Sequence, residues 1–473
     1  MRSRIVIILI PIAVFIAVVS INFSKPFGFF RESNPAMVCI NIQQWQKFPA
    51  LKQKGIPMTS FAFDTAAAPS AQLYNTVLSF GNGWFLLPYY FLSWFALEAN
   101  EINIRIFSLF WFLITFLSVY ALVKELAKDF QRRSIIIYLS LLFYVFNAAV
   151  LWYHVQGYVH ETAVLPFYFI GWWLFIKYLK VQSLSLLLSL SIVLLIALQF
   201  DWLPFFQAGI MAGWMLIDHK NIRHKAAFLV PLLSVLVGVS FIFYQYTQWA
   251  TVPIYIDHLK EKFIKRTIGG GGLQLFPWLN YNFNLIIFYA TGYGLLGLIF
   301  LRTLIKKKIR QPYLWLMIAC AVLHHLVFWG FSTEHDHSVV KMAFPLAFAS
   351  AVGISSLAAI KRTGITILAV AVNISLYFFL HNYFQRSGIY TNPEFCAQTG
   401  TFIHKNFSAS DKIFMNTEGK YFLQLEYYAH KQYLLVNSST EASAIMKKDF
   451  PGQNGYYLDV KNGQIISVVK INY

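Results

Sequence analysis

Long apolar runs separated by short polar connections dominate the first 380 residues, and the pattern breaks down only in the last 90. Runs of the length that crosses a bilayer, about 17–25 residues, fall near 5–21, 106–123, 134–151, 162–179, 183–199, 203–217, 226–244, 284–302, 312–330, 342–360 and 364–381. The sixth is short. These eleven runs predict an all-α polytopic membrane protein. One further apolar stretch, Gly83 to Leu97 ("GWFLLPYYFLSWFAL"), contains Pro88 and many aromatics. It is expected to lie at the interface or re-enter, because counting it as a span would invert every later connection.

The sides follow from lysine and arginine, which collect in cytoplasmic connections. Arg2 and Arg4 precede the first run, and Lys124, Lys128, Arg132 and Arg133 follow the second. Lys177 and Lys180 follow the fourth, Lys220, Arg223 and Lys225 the sixth, Arg302 to Arg310 the eighth, and Lys361 and Arg362 the tenth. Every alternate connection is short and basic. The N-terminus is therefore expected in the cytoplasm and the C-terminus outside. Arg4 to Val19 has the basic and apolar regions of a signal peptide without a small-residue cleavage site, so a retained anchor is expected. The outer face then carries loops 22–105 and 245–283, several short turns, and a tail. Residues 1–383 form the membrane domain. Residues 384–473 read as a small extracytoplasmic α/β domain, with strand-like "KIFMNT", "QYLLVN" and "GQIISVVKI" and a helical stretch from Lys420 to His430.

Composition changes the picture little. Hydrophobic residues make up 58% and charged residues 12% of the chain, about half the charge of an ordinary soluble protein. The net charge of +18 would suggest nucleic acid in a soluble protein. Here it is the loop bias just described, and no nucleic-acid partner is expected. Cys39, Cys320 and Cys396 have no metal-ligand spacing; Cys39 and Cys396 face the same outer side, but a bridge between them is not the favoured reading.

The polar residues that need explaining gather at the outer ends of the runs. "FSTEHDHSVVK" supplies Glu334, His335, Asp336, His337 and Lys341; "WYHVQGYVHET" supplies His154, His160 and Glu161; "QFDWLPF" supplies Asp201, which either caps the next helix or acts in a site. The first loop adds Arg31, Glu32 and Asp64, and Arg105 begins the second span. Charge near hydrocarbon is costly and usually lines a wet, functional cavity or is paired. A carboxylate there can take a proton from a hydroxyl, and arginine or lysine can neutralise a phosphate. Glu334, His335, Asp336 and His337 offer the nitrogen and oxygen ligands that a divalent cation (Mg, Mn, Ca or Zn) accepts, or else form a hydrated loop. Tyr255, Lys260 and Arg266 of the second loop are placed to meet a lipid-linked substrate, or to form a solvated face. His324 and His325, inside the ninth run, read as polar packing residues. Gly269 to Gly272 lacks the Lys-Ser/Thr ending of a phosphate loop.

This arrangement resembles the GT-C superfamily of integral-membrane glycosyltransferases, and is most similar to its protein O-mannosyltransferase and aminoarabinose-transferase branch. The resemblance spans roughly residues 1–381. It rests on the long first outer loop with an acid, "LLPYYFL" (Leu86 to Leu92), the Arg-led span beginning "NIRIFSLFWF", the turn "FNAAVLWYHVQGYVHET", and a soluble outer domain. It implies transfer of a sugar from a polyprenyl-phosphate donor to a lipid, glycan or protein acceptor, usually with inversion, at the outer face of a bacterial inner membrane with the tail domain periplasmic. By that likeness Glu32 is the catalytic base, with Asp64 the alternative. The phosphate and substrate contacts come from Arg31, Arg105, His154, His160, Glu161, Tyr255, Lys260, Arg266 and Lys341. Family members often carry an Asp-Glu pair where this chain has Arg31-Glu32, which leaves both the base and a need for metal open. Two other readings remain: a membrane lipid-phosphate hydrolase or phosphotransferase using the His/Asp cluster, and a transporter. The latter is disfavoured because transporters place polar groups near mid-membrane.

Overall fold

The computed structural model describes residues 2–21, 23–27, 33–48, 57–58, 61, 81–155, 157–217, 227–248, 251–267, 290, 293–306, 311–328, 336–386, 393–417, 422–461 and 464–471. Its helices in chain order are α1 (Arg2–Ser20), α2 (Ser33–Lys47), α3 (Gly83–Trp94), α4 (Glu101–Leu126), α5 (Arg133–Val145), α6 (His160–Ala163), α7 (Leu165–Val181), α8 (Leu184–Ala197), α9 (Leu203–Ile217) and α10 (Leu229–Thr247). They continue with α11 (Val252–Thr267), α12 (Tyr293–Ile305), α13 (Pro312–Val327), α14 (Ala343–Ser355) and α15 (Ala359–Arg386). Each of the eleven apolar runs contains a described helix. Among the described residues, five helical segments are long and apolar enough to cross a membrane: Glu101–Leu126, His160–Val181, Leu229–Thr247, Ser338–Ser355 and Ala359–Phe379. The others are shorter apolar helices. The segment Gly83–Trp94 is a helix about 18 Å long by its rise per residue, too short to cross hydrocarbon about 30 Å thick. Trp94 and Phe95 at its end are exposed.

Packing order explains burial. Helix α14 packs on α5, α4 on α7, α7 on α8, and α8 and α9 both on α10. The window Ser338–Ser355 is 94% buried while Ala359–Phe379 is 17% buried, so α14 runs through the centre and α15 along the outside. The small residues of "AFPLAFASAVGIS" let neighbours approach α14 closely, the usual way membrane helices associate. Gly353 shows this directly, because a side chain there would strike Thr303 of α12.

Helix α4 measures the bundle. Its 26 residues span about 39 Å, and its two ends differ in chemistry. At its start, Asn100 caps it by accepting from the Asn103 N–H at 2.9 Å. At its end, Glu125 gathers Lys128 at 2.7 Å, Lys180 at 2.9 Å and Lys177 at 3.8 Å. Arg132 donates to the carbonyl of Ser355 at the same end. Among the described residues, the basic connections after the second, fourth and tenth runs thus share one end of the bundle, as the alternation along the chain required.

The opposite end holds the C-terminal domain. It comprises α16 (Pro393–Asn406), β1 (Lys412–Asn416), α17 (Leu423–Ala429), β2 (Tyr433–Leu435), α18 (Ser439–Asp449), β3 (Gly455–Lys461) and β4 (Gln464–Ile471). The sheet order is β2-β1-β3-β4, with β1 parallel to β2 and β3, and β4 antiparallel to β3. Alternate residues of a strand face opposite sides. Ile413 and Met415 accordingly pack with Ile403 and Leu425, while Phe414 packs with Ala442 and Met446. The three strand-like and one helical stretches of the sequence are present; β3, α16 and α18 are additional. Cys39, Cys320 and Cys396 are free and buried.

A short polar clamp docks this domain on the bundle. Tyr427 Oη donates to Glu101 Oε2 at 3.3 Å, and Tyr428 Oη makes a very short bond to the other oxygen of the same carboxylate. The Phe27 N–H donates to Tyr428 Oη at 2.6 Å. Burial is the largest cause, and the Glu101 charge adds to it, in pushing both phenols well above the ordinary tyrosine range, so they stay protonated and donate. Replacing Glu101 with Ala removes a charged acceptor shared by two partly buried phenols. Hydrogen bonds to a charged group contribute about 1.5–3 kcal/mol each, so Glu101→Ala is expected to lower the thermal midpoint and to expose the region between α15 and α16 to limited proteolysis. Unchanged proteolysis would show that the clamp does not hold the domain.

Candidate functional site

Three turns at the domain-bearing end of the bundle converge on one buried polar group. The first precedes α6, a helix of one turn whose start places His160 and Glu161 side by side. The second joins α8 to α9 and carries Asp201. The third is the 3-10 segment Asp336–Met342 leading into α14, which carries Lys341. The C-terminal end of α13 adds His324 and His325. All six side chains are buried, with Glu161 and Lys341 fully so.

The distances define the group. His160 Nε2 lies 3.0 Å from Glu161 Oε2 and 3.5 Å from Asp201 Oδ2. His324 Nε2 lies 3.5 Å from Asp201 Oδ1, and Lys341 Nζ lies 3.2 Å from His324 Nδ1. Asp201 Oδ1 also accepts from the Leu203 N–H at 2.7 Å. It therefore caps α9, as one reading of the sequence had it, and takes part in the polar group. Burial alone would raise the Asp201 carboxyl, but the Lys341 charge, the hydrogen bond from His324 and the charges of His160 and His324 outweigh it. They hold it below the usual carboxylate range, so the group is ionised.

Aromatic rings wall the group. Trp84 at the start of α3 lies against His160, and Phe206 of α9 against His324, with ring centres 5.8 Å and 5.3 Å apart. Trp84 reaches His160 because the chain before α3 runs very close to the α8–α9 turn. The Gly83 N–H donates to Gln199 O at 2.9 Å, and a Cβ on Gly81 would lie 2.6 Å from Gln199 Cα. Only glycine fits there.

His160, Glu161 and Asp201 each present one ligand atom within 4.8 Å of the other two. A nitrogen and two carboxylate oxygens at that separation fit a divalent cation of the hard or borderline kind. Two carboxylates against one ammonium also leave the group one negative charge in excess when its histidines are neutral, which favours a cation further.

Beside this group is an apolar cleft of about 600 Å³ between the start of α9 and α11. Trp202, Phe206, Leu259, Phe263 and Phe328 line it, and Lys260 and Lys262 stand on its wall. Phe206 belongs to both sites. Helix α11 has exposed Ile254, Ile256, Phe263 and Ile264 together with its lysines, as a helix lying in a membrane interface does.

The structure thus brings His160, Glu161 and Lys341 together among the residues expected from sequence, joins Asp201 to them, and places Lys260 at the adjoining cleft. His154 is elsewhere: its Nε2 pairs with Thr115 Oγ1 at 2.9 Å and its ring packs on Phe112. Arg105 donates to the carbonyls of Phe23 at 2.9 Å and Lys25 at 2.5 Å and lies over the Phe27 ring, tying down the first loop. Tyr255 is buried between Phe243 and Tyr246. Arg31, Glu32, Asp64, Glu334 and His335 lie outside the described residues, as do the side chains of Arg266, Asp336 and His337. His324 and His325, read from sequence as packing residues, reach the group because both close the last turn of α13. Their position next to the polar outer mouth of that span was the available signal.

Searches with the chain find solved structures of this fold. ArnT from Cupriavidus metallidurans, crystallised with undecaprenyl phosphate, superposes with a TM-score of 0.63 over 96% of this chain and 92% of its own, at 10% identity. Its apo form gives 0.58 over 97% and 94%, at 9% identity. The oligosaccharyltransferase AglB from Archaeoglobus fulgidus, in complex with an inhibitory peptide and a dolichol-phosphate, gives 0.55 over 95% and 69%, at 12% identity. No family model matches the sequence, and no curated protein does. The chain shares the fold of these proteins. Its helical bundle and its C-terminal α/β domain both fall within the aligned length of ArnT.

Two outcomes test the site. Lys341→Met leaves two buried carboxylates without the ammonium, a loss of about 3–5 kcal/mol, and Asp201→Asn costs less because Glu161 remains in the group as a counter-charge. The double variant is expected to be less destabilised than the sum of the singles when thermal midpoints are compared; strict additivity would show that the two charges do not interact. Titration with Mn²⁺, followed by electron paramagnetic resonance, is expected to show one bound ion. His160→Ala, which removes one of three ligands, is expected to weaken it at least about tenfold, and equal affinity would place the ion elsewhere.

Proposed function

We propose that the protein transfers a sugar from a polyprenyl-phosphate donor to the hydroxyl of a lipid, glycan or protein acceptor at the outer face of a bacterial inner membrane. The observation that carries this reading is a buried acid, histidine and lysine group that shares the Phe206 wall with an apolar cleft, within a fold shared with a protein crystallised on undecaprenyl phosphate. The basic connections face the cytoplasm in this reading, and the C-terminal domain is periplasmic.

The chemistry divides among the residues. The isoprenoid tail lies in the cleft, against Trp202, Phe206 and Phe263. Lys260 and Lys262 meet the phosphate at the cleft wall and Lys341 meets it from within. Glu32, which directly precedes α2, takes the proton of the acceptor hydroxyl. The acceptor oxygen then bonds to the anomeric carbon as the bond from that carbon to the phosphate oxygen breaks, so the configuration inverts. Asp201 and Glu161 orient His160 and His324 and keep the interior poised between charges. A divalent cation held by His160, Glu161 and Asp201 would offset the negative charge that develops on the departing phosphate. Fixed charges in a dry site stabilise such a transition state far more than the same charges in water.

A hydrolase or phosphotransferase acting on a lipid phosphate would use the same lysines and the same cation site. The deciding experiment uses the purified chain with a panel of radiolabelled polyprenyl-phosphate sugars, with water and several hydroxyl acceptors, with and without chelator. Sugar transfer is expected, falling at least about a hundredfold in Glu32→Gln, as loss of a general base does, and falling with chelator. Release of labelled sugar phosphate or free sugar into water without transfer to an acceptor would replace this reading by the hydrolase. Normal transfer by Glu32→Gln would move the base to Asp64.

A further inference from the structure

A second cavity, of about 840 Å³, lies outside the bundle where α2, the turn between α3 and α4, and helix α17 of the C-terminal domain meet. Its walls do not resemble the first site. Gln43, Gln44 and Gln46 of α2 and Asn100 supply carboxamides, while Phe48, Phe61 and Tyr427 supply aromatic surface. Lys47 and Glu98 contribute one charge of each sign, so the cavity has no charge preference of its own.

Two of the amides are incompletely used. Gln43 Nε2 reaches the carbonyl of Ala99 at 3.5 Å, but the buried Oε1 atoms of Gln43 and Gln44 have no hydrogen-bond partner among the described residues. Gln44 is only 3% exposed. Both atoms are sealed behind the lining, and the carboxamide that a ligand meets at the open edge is that of the exposed Gln46. Amides that both donate and accept suit hydroxyls in either role. The apolar rings suit the C–H faces of the same molecule. Pockets of a few hundred Å³ with apolar walls and a small set of placed polar groups are the usual form of a small-ligand site.

We propose that this cavity binds a neutral, polyhydroxylated glycan, and that it holds the carbohydrate part of the acceptor. The second half of that statement rests on the transfer reading above; the first half does not. The placement supports the link. Helix α3 presents Trp84 to His160 at one end and Leu92 and Ser93 to the cavity at the other, a separation of roughly 13 Å along the helix. A glycan seated here has its far end directed along α3 towards the buried polar group. Tyr427 and His430 line the cavity from the C-terminal domain, so that domain is part of the binding site and not only a cover.

Saturation-transfer NMR on the full chain in detergent, without donor, tests the cavity with maltotriose, cellotriose, mannotriose and chitotriose, and with triglycine as a peptide control. At least one trisaccharide is expected to bind. Gln46→Ala, at an exposed position, is expected to weaken it about fivefold, the loss of one hydrogen bond of about 1 kcal/mol. Ser93→Trp, which fills the cavity from its exposed rim, is expected to abolish binding while the thermal midpoint stays in place. Binding of no trisaccharide, binding indifferent to both substitutions, or binding of triglycine in preference would each overturn the proposal. Because no donor is present, failure of the transfer reading leaves this result standing. In a chain active for transfer, Ser93→Trp is expected to raise the KM of a glycan acceptor and leave that of the donor unchanged; the reverse would separate the cavity from the acceptor.

Discussion

An ionised carboxylate sealed among aromatic rings at the end of a helical bundle survives only if positive charge and hydrogen-bond donors are sealed in with it. Asp201 imposes that constraint here. It requires His160 from the turn before α6, His324 from the end of α13 and Lys341 from the segment before α14, and it draws all three helix ends to one point. The close passage of Gly81 and Gly83 against Gln199 then follows, since Trp84 must reach the His160 ring to exclude water. Helix α14 can be almost wholly buried because its polar approach, through Lys341, has a counter-charge waiting.

The membrane part of the fold was legible because hydrophobic length and lysine placement are local properties. Each apolar run contains a helix, and Glu125 with its three lysines confirms in space that the basic connections after the second and fourth runs share an end. The reading of Gly83 to Leu97 as a non-spanning segment also agrees with its length. In the C-terminal domain the strands with unbroken apolar character were found. Strand β3, "GYYLDVK", was not, because its aspartate and flanking glycine resemble a loop until β1 and β4 pair on both its edges. Whether Asp201, His324 and Lys341 meet depends on how helices distant in sequence cross, and no local pattern encodes that. Arg105 illustrates the limit from the other side: nothing in its local sequence shows that its guanidinium donates to the carbonyls of Phe23 and Lys25.

The two cavities divide the outer face by chemistry. The one beside α11 is greasy and edged with lysine, and leads to a dry group of charges. The other is walled by amides and rings and has no net charge. Helix α3 joins the buried polar group, which Trp84 meets, to the amide-lined cavity, which Leu92 and Ser93 line.

The clamp also bears on the order of assembly. The Phe27 N–H and the Tyr428 hydroxyl that it meets are 401 residues apart in the chain. A chain made from its N-terminus forms its bundle from contacts between neighbouring helices, and pays the entropy of closing its longest loop only at the end. Until α17 arrives, α2 and the turn before α4 lack the wall that completes the amide-lined cavity. A chain stalled before residue 427 would therefore carry the charged group of the bundle without the last wall of the cavity.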